Sequence, residues 1–449
     1  MTTKSRIWTS SVALTAMLCI TARAAELPGF VSELSAGTIA VISDGDFVAE
    51  SYADSRLAPR EAGHQDVLTV LSLNGEKITI GSLPVSNSVT AAPEILVLTP
   101  DGSTAFVTER LGQRSPTAET VRDLPPGNRL FAVDLSDKAS PQLADTAEIA
   151  SFPEGLAVSP DGQRAAVVSN TPDASIVQIV PYSGGRFGGT ASFDLAELGV
   201  TGQAEAPRGG VTATNVQWHP SGRFIAVNIN TQNRVAFFEI SGMGDAISLR
   251  PWGNIVTVGA DPFVGRFTPD GSYYLTSDWG RDFGATTLAG RIPQKPSSIS
   301  VVRLGDQDAP DARHERIGGA ETDLSSEGLA VSPNGRLVAT VNMRGTALPQ
   351  ESGRFRREGS VTLLSFDPAT GRLEKAGDYA FEGALPEGGA FDLTGSHFLA
   401  TIFQGHAGTG AKAGAGLEVF RVVQGERPRL ERVGRLPMPH GVHHVDIAE

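Results

Sequence analysis

Short apolar runs separated by polar turns recur along the whole chain. Six segments share one pattern, in which an apolar run leads into a polar turn ending in glycine, and a second apolar run follows. The six segments are residues 95–109, 155–170, 215–230, 264–278, 328–342 and 389–403. Two strand-like runs joined by a tight glycine turn indicate a β-hairpin. The pattern therefore predicts a chain built from antiparallel β-strands.

The turn glycines define a repeat of nearly constant length. They are Gly102, Gly162, Gly222, Gly271, Gly335 and Gly395, spaced mostly about 60 residues apart. Two more strand-like runs lie between successive turns, such as SIVQIVPY and ASFDL after Gly162. Each repeat therefore predicts four antiparallel strands. A four-stranded unit repeated around an axis is a blade of a β-propeller.

The two ends of the chain predict how the ring closes. Gly37 aligns with the turn glycines but has no strand before it, whereas the C-terminal HGVHHVDIAE supplies a strand with no turn after it. We therefore expect a seventh blade shared by both ends, with residues 441–447 as its inner strand. The alternative takes Ser43-Asp44-Gly45 as the first turn and keeps that blade whole. Either way, the prediction is all-β: one seven-bladed β-propeller domain spanning residues 25–449.

The first 24 residues have the pattern of a secretory signal peptide. Lys4 and Arg6 precede a mostly apolar stretch over residues 7–20, and Ala22-Arg23-Ala24 supplies the small-x-small cleavage pattern. The stretch is short for a bilayer span, so we expect cleavage and a periplasmic or secreted protein without a membrane span. An uncleaved anchor is the alternative.

Composition excludes several classes of function. The chain has 449 residues and a formal charge of −13, which becomes −16 once Lys4, Arg6 and Arg23 leave with the signal peptide. Nucleic-acid binders carry a basic surface, so we expect no nucleic-acid partner. The single cysteine, Cys19, also lies in the signal peptide. The mature chain therefore has no cysteine nucleophile and no cysteine-ligated metal.

The repeated turns resemble a known group of propellers. Turns of the SPDG type followed by strands such as AVVSN are similar to those of the seven-bladed lactonase and YVTN-repeat propellers of bacteria. The resemblance covers most of the mature chain and implies a propeller fold, with lactone hydrolysis as one activity. Lactonases of this group usually carry Pro-Arg-His before an inner strand, where this chain has PEG, SEG or TNV. No catalytic residue is therefore carried over from the group.

A ring of carboxylates is predicted at one mouth of the central channel. Counting six residues back from the proline position of each turn gives the residue that opens each inner strand. These residues are Glu94, Glu154, Thr214, Phe263, Glu327, Glu387 and His440. The Glu-Gly pairs among them also resemble metal-dependent propeller lactonases and phosphoesterases, in which such a glutamate reaches a divalent ion on the axis.

The carboxylates of Glu94, Glu154, Glu327 and Glu387 are thus predicted to bind a divalent cation, and their oxygen ligands favour Ca²⁺. The alternative is a structural role, in which each glutamate caps its own turn.

Polar residues and long loops are predicted on the same face. The second strands of the blades end at residues that would face a substrate: Asn170, Asn230, Asp278, Asn342 and Gln404, with Arg344 just beyond. Five of the following loops are long, and long loops on one face of a rigid scaffold are typical of a binding face. These loops hold many basic residues: Arg110, Arg114, Arg122, Arg281, Arg291, Lys295, Arg344, Arg354, Arg356, Arg357 and Lys412. A small anionic molecule is therefore the predicted ligand, with scattered surface arginines as the alternative.

Histidines are the candidates for proton transfer. His440 and His406 are predicted to be catalytic, and His443 is a weaker candidate. His443 and His444 are adjacent in a strand, so they point to opposite sides.

The preferred hypothesis is a lactonase-like, metal-dependent hydrolase of a small anionic ester, lactone or phosphoester. The alternative is a non-catalytic propeller that binds a protein or small ligand through its loop-rich face. In both cases we expect a monomer.

Overall fold

The computed structural model describes residues 28–74, 77–203, 206–309, 311–408 and 414–449. The predicted signal peptide, Cys19 and Lys412 lie outside these residues. Within them, no helix is long and apolar enough to cross a membrane.

Strands dominate the described residues. Strands β1 to β15 are Thr38–Ser43, Val67–Asn74, Lys77–Pro84, Leu96–Leu98, Thr104–Leu111, Pro126–Asp134, Gln142–Glu148, Pro153–Val158, Arg164–Asn170, Ser175–Ser183, Arg186–Phe187, Ala191–Asp194, Ala213–Trp218, Phe224–Ile229 and Arg234–Ser241. Strands β16 to β30 are Ser248–Pro251, Val256–Thr257, Pro262–Phe267, Tyr273–Asp278, Ser298–Arg303, Glu315–Glu321, Ser326–Val331, Leu337–Asn342, Glu358–Asp367, Arg372–Glu382, Gly389–Phe391, His397–Ile402, Gly416–Val423, Arg429–Pro437 and Val442–Ala448. The α-helical segments are single turns, α1 (Ser51–Asp54) and α2 (Leu288–Arg291). Turns of 3₁₀ helix are Gly29–Glu33, Arg60–Ala62, Val121–Asp123, Pro207–Gly210, Asn230–Gln232 and Gly244–Ala246.

The strands form seven antiparallel sheets, which confirms the predicted seven-bladed propeller. From the inner strand outward, blade one is β30-β1-β2-β3, blade two is β4 to β7, and blade three starts with β8-β9-β10. Blade four starts with β13-β14-β15, and blades five, six and seven are β18 to β21, β22 to β25 and β26 to β29. In blades three and four two short strands share the outer position, β11 with β12 and β16 with β17.

Glycine makes the hairpin turns possible. Gly162 has φ of 71°, and the other five predicted turn glycines of blades two to seven also have positive φ between 62° and 71°. Only glycine adopts this region without a steric cost. The carboxylate of Asp161 accepts a hydrogen bond from the amide of Gln163 at 3.0 Å, which fixes the turn from inside. A Cβ added at Gly162 would lie 3.5 Å from Pro100 of the preceding blade, so this turn lies close to the neighbouring blade.

The C-terminal strand closes the ring. Strand β30 pairs with β1 in antiparallel register, and the amide of Gly37 donates to the carbonyl of Ala448 at 3.0 Å. The predicted split blade is therefore confirmed, and the alternative turn at Gly45 is wrong. Two side chains of β30 also bind blade two, because Asp446 accepts from the amide of Leu98 at 2.7 Å and His444 accepts from that of Leu96 at 3.4 Å. Apolar side chains of neighbouring sheets form the core between the blades.

Candidate functional site

A β-bulge opens four of the inner strands. The pairing register shifts around Glu154, Thr214, Phe263 and Glu327, so each of these residues has no partner on the second strand of its blade. A bulge re-aims the side chain that it leaves unpaired. Four of the residues selected by counting back from each turn are therefore irregular positions of the inner strands.

In blade one the equivalent bulge is at His443, so the predicted placement of His440 is wrong. Val442 pairs with Ser43 and His444 with Ile42, which leaves His443 unpaired. In blades two to seven a hairpin turn fixes the register between the first two strands. Blade one has no such turn, so sequence spacing alone does not determine its register. His443 is buried, and its Nε2 is bonded to Oδ1 of Asn87 at 3.0 Å.

Two of the four predicted glutamates bind arginine. Oε1 of Glu94 lies 2.7 Å from Arg266, and its Oε2 accepts from Gln217 at 3.3 Å. Oε1 of Glu154 lies 2.9 Å from Nε of Arg110. An arginine supplies the positive charge that a bound cation would otherwise supply. These contacts favour a structural role for Glu94 and Glu154.

Glu327 and Glu387 instead lie side by side. Each is 1% exposed, and their carboxyl groups are within hydrogen-bonding reach of one another. Oε1 of Glu327 and Oε2 of Glu387 have no donor elsewhere in the described residues, whereas Oε1 of Glu387 accepts from the hydroxyl of Tyr52 at 3.4 Å. Two carboxylates in contact repel each other unless one is protonated. The pair is therefore suited to holding one shared proton.

Burial keeps this pair partly protonated near neutral pH. Desolvation raises the pKa of Glu327 to about 8, although Arg281 opposes the rise. The pKa of Glu387 is raised well above its usual value, first by burial and then by the charge of Glu327. Burial, together with the charges of Glu327 and Glu387, also raises the pKa of Tyr52, which keeps its hydroxyl proton available for donation.

Arg281 is held rigidly beside the pair. Its Nε and Nη2 donate to the two oxygens of Asp261 at 2.7 and 3.0 Å. Its guanidinium lies 4.1 Å from the ring centroid of Trp279 and 4.6 Å from that of Phe263. A guanidinium stacked on aromatic faces and paired with a buried carboxylate has a fixed orientation. Arg281 is therefore a preorganised cation at this site.

A cleft of about 530 Å³ lies on the loop-rich face and is connected to the pair through Tyr52. Tyr52, Arg281, Arg110, Arg122 and Arg291 are among its lining residues. Arg122 is exposed, and Nε of Arg291 is buried without a hydrogen-bond partner in the described part of the chain. We call this cavity the arginine cleft. Four of the predicted loop arginines thus meet in one place.

Two loops bring these residues together. Tyr52 lies in α1, within the long loop after β1, and Arg291 lies in α2, within the long loop after β19. The two helical turns contact each other, so the first and fifth blades meet over the channel mouth. Phe47 packs edge-on against Tyr52 with ring centroids 5.9 Å apart. Tyr52 was missed by sequence reasoning because it belongs to no repeated position; its place in the longest loop was the only signal.

The side-chain amides that were predicted to bind substrate instead form hydrogen bonds within and between the blades. Asn170 bonds the carbonyl and amide of Ala213 in the neighbouring blade and the hydroxyl of Ser175. Nδ2 of Asn342 donates to two hydroxyls of its own blade, those of Ser360 and Thr362. These bonds favour structural roles for both asparagines.

Asn230 and Asp278 are buried in similar networks. Nδ2 of Asn230 donates to Asp261 at 3.1 Å, so it supports the carboxylate that holds Arg281. Asp278 accepts from Ser300 and Thr276, and burial raises its pKa to about 7.

Gln404 and Arg344 lie nearer the surface loops. Gln404 accepts from the amide of Ala49 at 2.9 Å and donates to Glu50, so it anchors the loop that carries Tyr52. Nε of Arg344 lies 3.5 Å from Asp323, and its Nη1 donates to a carbonyl at 3.3 Å. Arg344 lines a separate groove with Arg356 and Arg357, outside the arginine cleft.

The two histidines predicted to be catalytic contact loop backbone. Nε2 of His440 is bonded to the carbonyl of Phe47 at 2.9 Å, and its ring stacks on His64 at 3.7 Å. Nε2 of His406 is bonded to the carbonyl of Arg357 at 2.9 Å. Burial lowers the pKa of His440. None of these contacts places His440 or His406 beside the Glu327–Glu387 pair.

The donor set fits a calcium ion poorly. Within the described ranges, no group of three or more His, Cys, Asp or Glu side chains is arranged to hold a metal ion. Calcium takes six to eight oxygen ligands. Of the four predicted glutamates, only Glu327 and Glu387 offer oxygens without a donor in the described residues, since Glu94 and Glu154 are paired with arginine. The metal site stays a prediction that metal analysis of the purified protein would test.

Comparisons with known proteins identify the fold. No family model and no curated protein matches the chain. Among solved structures, the periplasmic gluconolactonase of Pseudomonas aeruginosa aligns with a TM-score of 0.60 and 15% identity, covering 92% of this chain and 99% of that one. A proposed 6-phosphogluconolactonase of Bacteroides uniformis aligns with a TM-score of 0.59 and 14% identity, covering 92% and 100%. A protein of unknown function from Desulfotomaculum acetoxidans gives 0.59 and 14%, covering 91% and 98%. The chain therefore has the fold of the lactonase-like propellers, and identities this low establish the fold alone.

Proposed function

We propose that this protein is a lactonase-like hydrolase that cleaves a small anionic ester or lactone at the arginine cleft. The observation that carries the proposal is the buried Glu327–Glu387 pair, which Tyr52 links to a cleft lined by four arginines. Titratable groups whose environments raise their pKa values, placed beside a cavity, are typical of acid–base sites. The lactonase-like fold is consistent with this chemistry.

Because the two glutamates share one proton, one of them can act as a general base and the other as a general acid. The ionised carboxylate of the pair takes a proton from a water molecule as its oxygen attacks the substrate carbonyl. The protonated partner then gives its proton to the leaving oxygen as the carbon–oxygen bond breaks, so an ester yields a carboxylic acid and an alcohol, and a lactone yields one hydroxy acid. Arg281 and the hydroxyl of Tyr52 are placed to stabilise the oxyanion that forms between the two steps.

The arginines of the cleft are proposed to bind the anionic group of the substrate. Arg110 and Arg281 are each paired with a carboxylate, whereas Arg122 and Arg291 bring positive charge without a salt bridge in the described residues. Their free donors suit a carboxylate or phosphate group of the substrate. Tyr52 covers the pair, so we propose that its side chain turns aside when the substrate binds.

A panel of anionic lactones and esters assayed with purified protein tests the proposal. Glu327→Gln keeps the shape of the side chain but cannot carry the shared proton, so we expect hydrolysis to fall by about 100-fold or more. Asp323→Asn, outside the cleft, is the matched control and should leave the rate unchanged. Hydrolysis should also survive a chelator; loss of activity on chelation would instead support the predicted metal-dependent mechanism.

A second candidate function is ligand binding without catalysis. The 1% exposure of Glu327 and Glu387 favours it, because no substrate atom reaches the pair while Tyr52 covers it. Saturable binding of an anionic lactone with no turnover, unaffected by Glu327→Gln, would select this candidate.

We also propose export to the periplasm or the medium. The N-terminal sequence pattern supports this, and the Pseudomonas aeruginosa protein of the same fold is a periplasmic one. N-terminal sequencing of the protein recovered from a periplasmic fraction should begin at Ala25. Recovery of the full chain from the membrane fraction would contradict cleavage.

A further inference from the structure

A second cavity lies on the channel axis, at the face formed by the hairpin turns. It measures about 280 Å³ and is lined by the ends of the inner strands of blades four, five, six, seven and one. Its polar lining residues are Gln217, Arg266, Thr268, His444 and Asp446. We call it the turn-face chamber. None of its lining residues lines the arginine cleft.

An ion pair across the axis closes the inner end of the chamber. Arg266 of blade five lies 2.7 Å from Glu94 of blade two, and blades two and five are nearly opposite in a ring of seven. Gln217 of blade four donates to the same glutamate at 3.3 Å. Glu94 is 6% exposed and does not line the chamber. The ion pair therefore lies beside the chamber, with Arg266 in its wall.

The charges inside the chamber nearly balance. The guanidinium of Arg266 is offset by Glu94. The remaining carboxylate, Asp446, already accepts hydrogen bonds from two backbone amides, those of Leu98 and Ile447. An anionic ligand would find no uncompensated cation here, and a cation would find no set of free carboxylates. The chamber therefore favours a neutral ligand.

The wall also offers a donor that has no partner. Nδ1 of His444 accepts from the amide of Leu96 at 3.4 Å, so its proton resides on Nε2. His444 is 5% exposed, and its Nε2 has no hydrogen-bond partner in the described residues. Because His444 lines the chamber, this donor is available to an acceptor atom of a ligand bound there. Trp218 and Phe267 add apolar surface beside it.

We propose that the turn-face chamber binds a neutral, hydroxyl-rich molecule about the size of a hexose. Hydroxyl groups can accept from Nε2 of His444 and from Arg266, and they can donate to Asp446 and to the amide oxygen of Gln217. The aromatic side chains contact the carbon-bound hydrogens of such a ring. The volume lies just below the usual range of about 300–1,000 Å³ for ligand sites, which limits the ligand to one small ring. The proposal does not depend on hydrolysis at the arginine cleft.

Ligand-observed NMR with D-glucose and myo-inositol as probes tests the proposal on the full-length mature protein. Saturation transfer to both probes is expected at millimolar concentration. Ala390→Leu places a larger side chain in the chamber wall and should weaken binding by about tenfold or more. Gln217→Leu removes the amide and should weaken binding by a similar factor.

Ala53→Leu, in the wall of the arginine cleft, is the matched control and should leave binding unchanged. Circular dichroism and the melting temperature establish that each variant is folded. The absence of saturation transfer to both probes would overturn the proposal. So would equal weakening by Ala53→Leu and Ala390→Leu, or tighter chamber binding of gluconate than of D-glucose.

Discussion

The hydroxyl of Tyr52 donates to Oε1 of Glu387 at 3.4 Å, although the two residues are 335 positions apart in the chain. Tyr52 comes from the loop after β1, the second strand of blade one, and Glu387 precedes the inner strand of blade seven. Ring closure makes these two blades neighbours. One hydrogen bond thus connects the wall of the arginine cleft to the buried carboxyl pair.

Tyr52→Phe should therefore slow hydrolysis without disturbing the loop. The ring keeps its packing against Phe47, and only the hydroxyl is lost. Loss of one buried hydrogen bond is worth about 1 kcal/mol, so we expect kcat to fall roughly fivefold to tenfold with little change in KM. Because the hydroxyl stabilises ionised Glu387, the acidic limb of the pH–rate profile should move to higher pH. Tyr379→Phe is the matched control, and an unaltered profile in Tyr52→Phe would contradict the assigned contact.

The Glu327–Glu387 pair predicts a loss of stability as pH rises. The folded-state pKa of Glu327, about 8, lies above its usual value of 4.5, because the site is desolvated. This group therefore contributes stability that is fully present below pH 4.5 and is lost as pH rises through 8. In Glu327→Gln this loss should disappear, so the variant should gain on the order of 2–4 kcal/mol relative to the native protein between pH 4.5 and 8.5.

Urea unfolding at both pH values measures this difference. Asp323→Asn serves again as the control, because Asp323 is a partly buried carboxylate that contacts Arg344 and Ser360 outside the cleft. Parallel pH dependence in the native protein and Glu327→Gln would show that the pair does not share a proton.

The salt bridge between Arg110 and Glu154 predicts how the cleft recognises anions. Glu154 reduces the positive charge of Arg110, which lines the arginine cleft. Glu154→Gln should therefore lower KM for an anionic substrate about threefold, and Arg110→Met should raise it by about tenfold. Arg250→Met, at an exposed salt bridge in blade four, should leave KM unchanged. Equal KM values in all three variants would show that the substrate anion binds outside the arginine cleft.

The fold was predictable from sequence because the strand–turn–strand pattern of one blade recurs along the chain. Each turn glycine, such as Gly162 or Gly335, is required by a positive φ, and six copies of one turn specify six hairpins. The split blade was predictable because an unpaired strand remained at each end. The register of β30 was not predictable, because no turn links it to β1, and His443 therefore took the place assigned to His440.

The candidate site was only partly predictable. The glutamates were found from their place in the repeat, but the repeat does not specify the side chains that contact them. Arg266 and Arg110 neutralise Glu94 and Glu154 from other blades, while Glu327 and Glu387 are left with each other. Tyr52 comes from a loop that occurs once. Contacts between different blades decided the chemistry of each position.

His443 predicts a loss of stability in acid. Burial lowers its folded-state pKa to about 3, below its usual value of 6.5. A depressed pKa contributes stability that is present above pH 6.5 and is lost as pH falls toward 3. His443→Gln keeps a donor for Asn87 but cannot titrate, so its urea midpoint should fall less between pH 7 and pH 4 than that of the native protein. His64→Gln, at a less buried ring, should retain nearly the native pH dependence.

Strand β30 predicts that the ring depends on its last residues. Deleting residues 442–449 removes the inner strand of blade one, exposes the edge of β1 and removes the contacts of His444 and Asp446 with blade two. Unpaired inner-edge backbone groups and lost apolar burial should lower the melting temperature by about 10 °C or more. Removing Glu449 alone is the control and should have little effect, since β30 ends at Ala448.

A synthetic peptide of residues 438–449, added in trans, should restore the native melting temperature because it re-forms the β1 pairing. An unchanged melting temperature after the deletion would contradict closure of the ring by this strand.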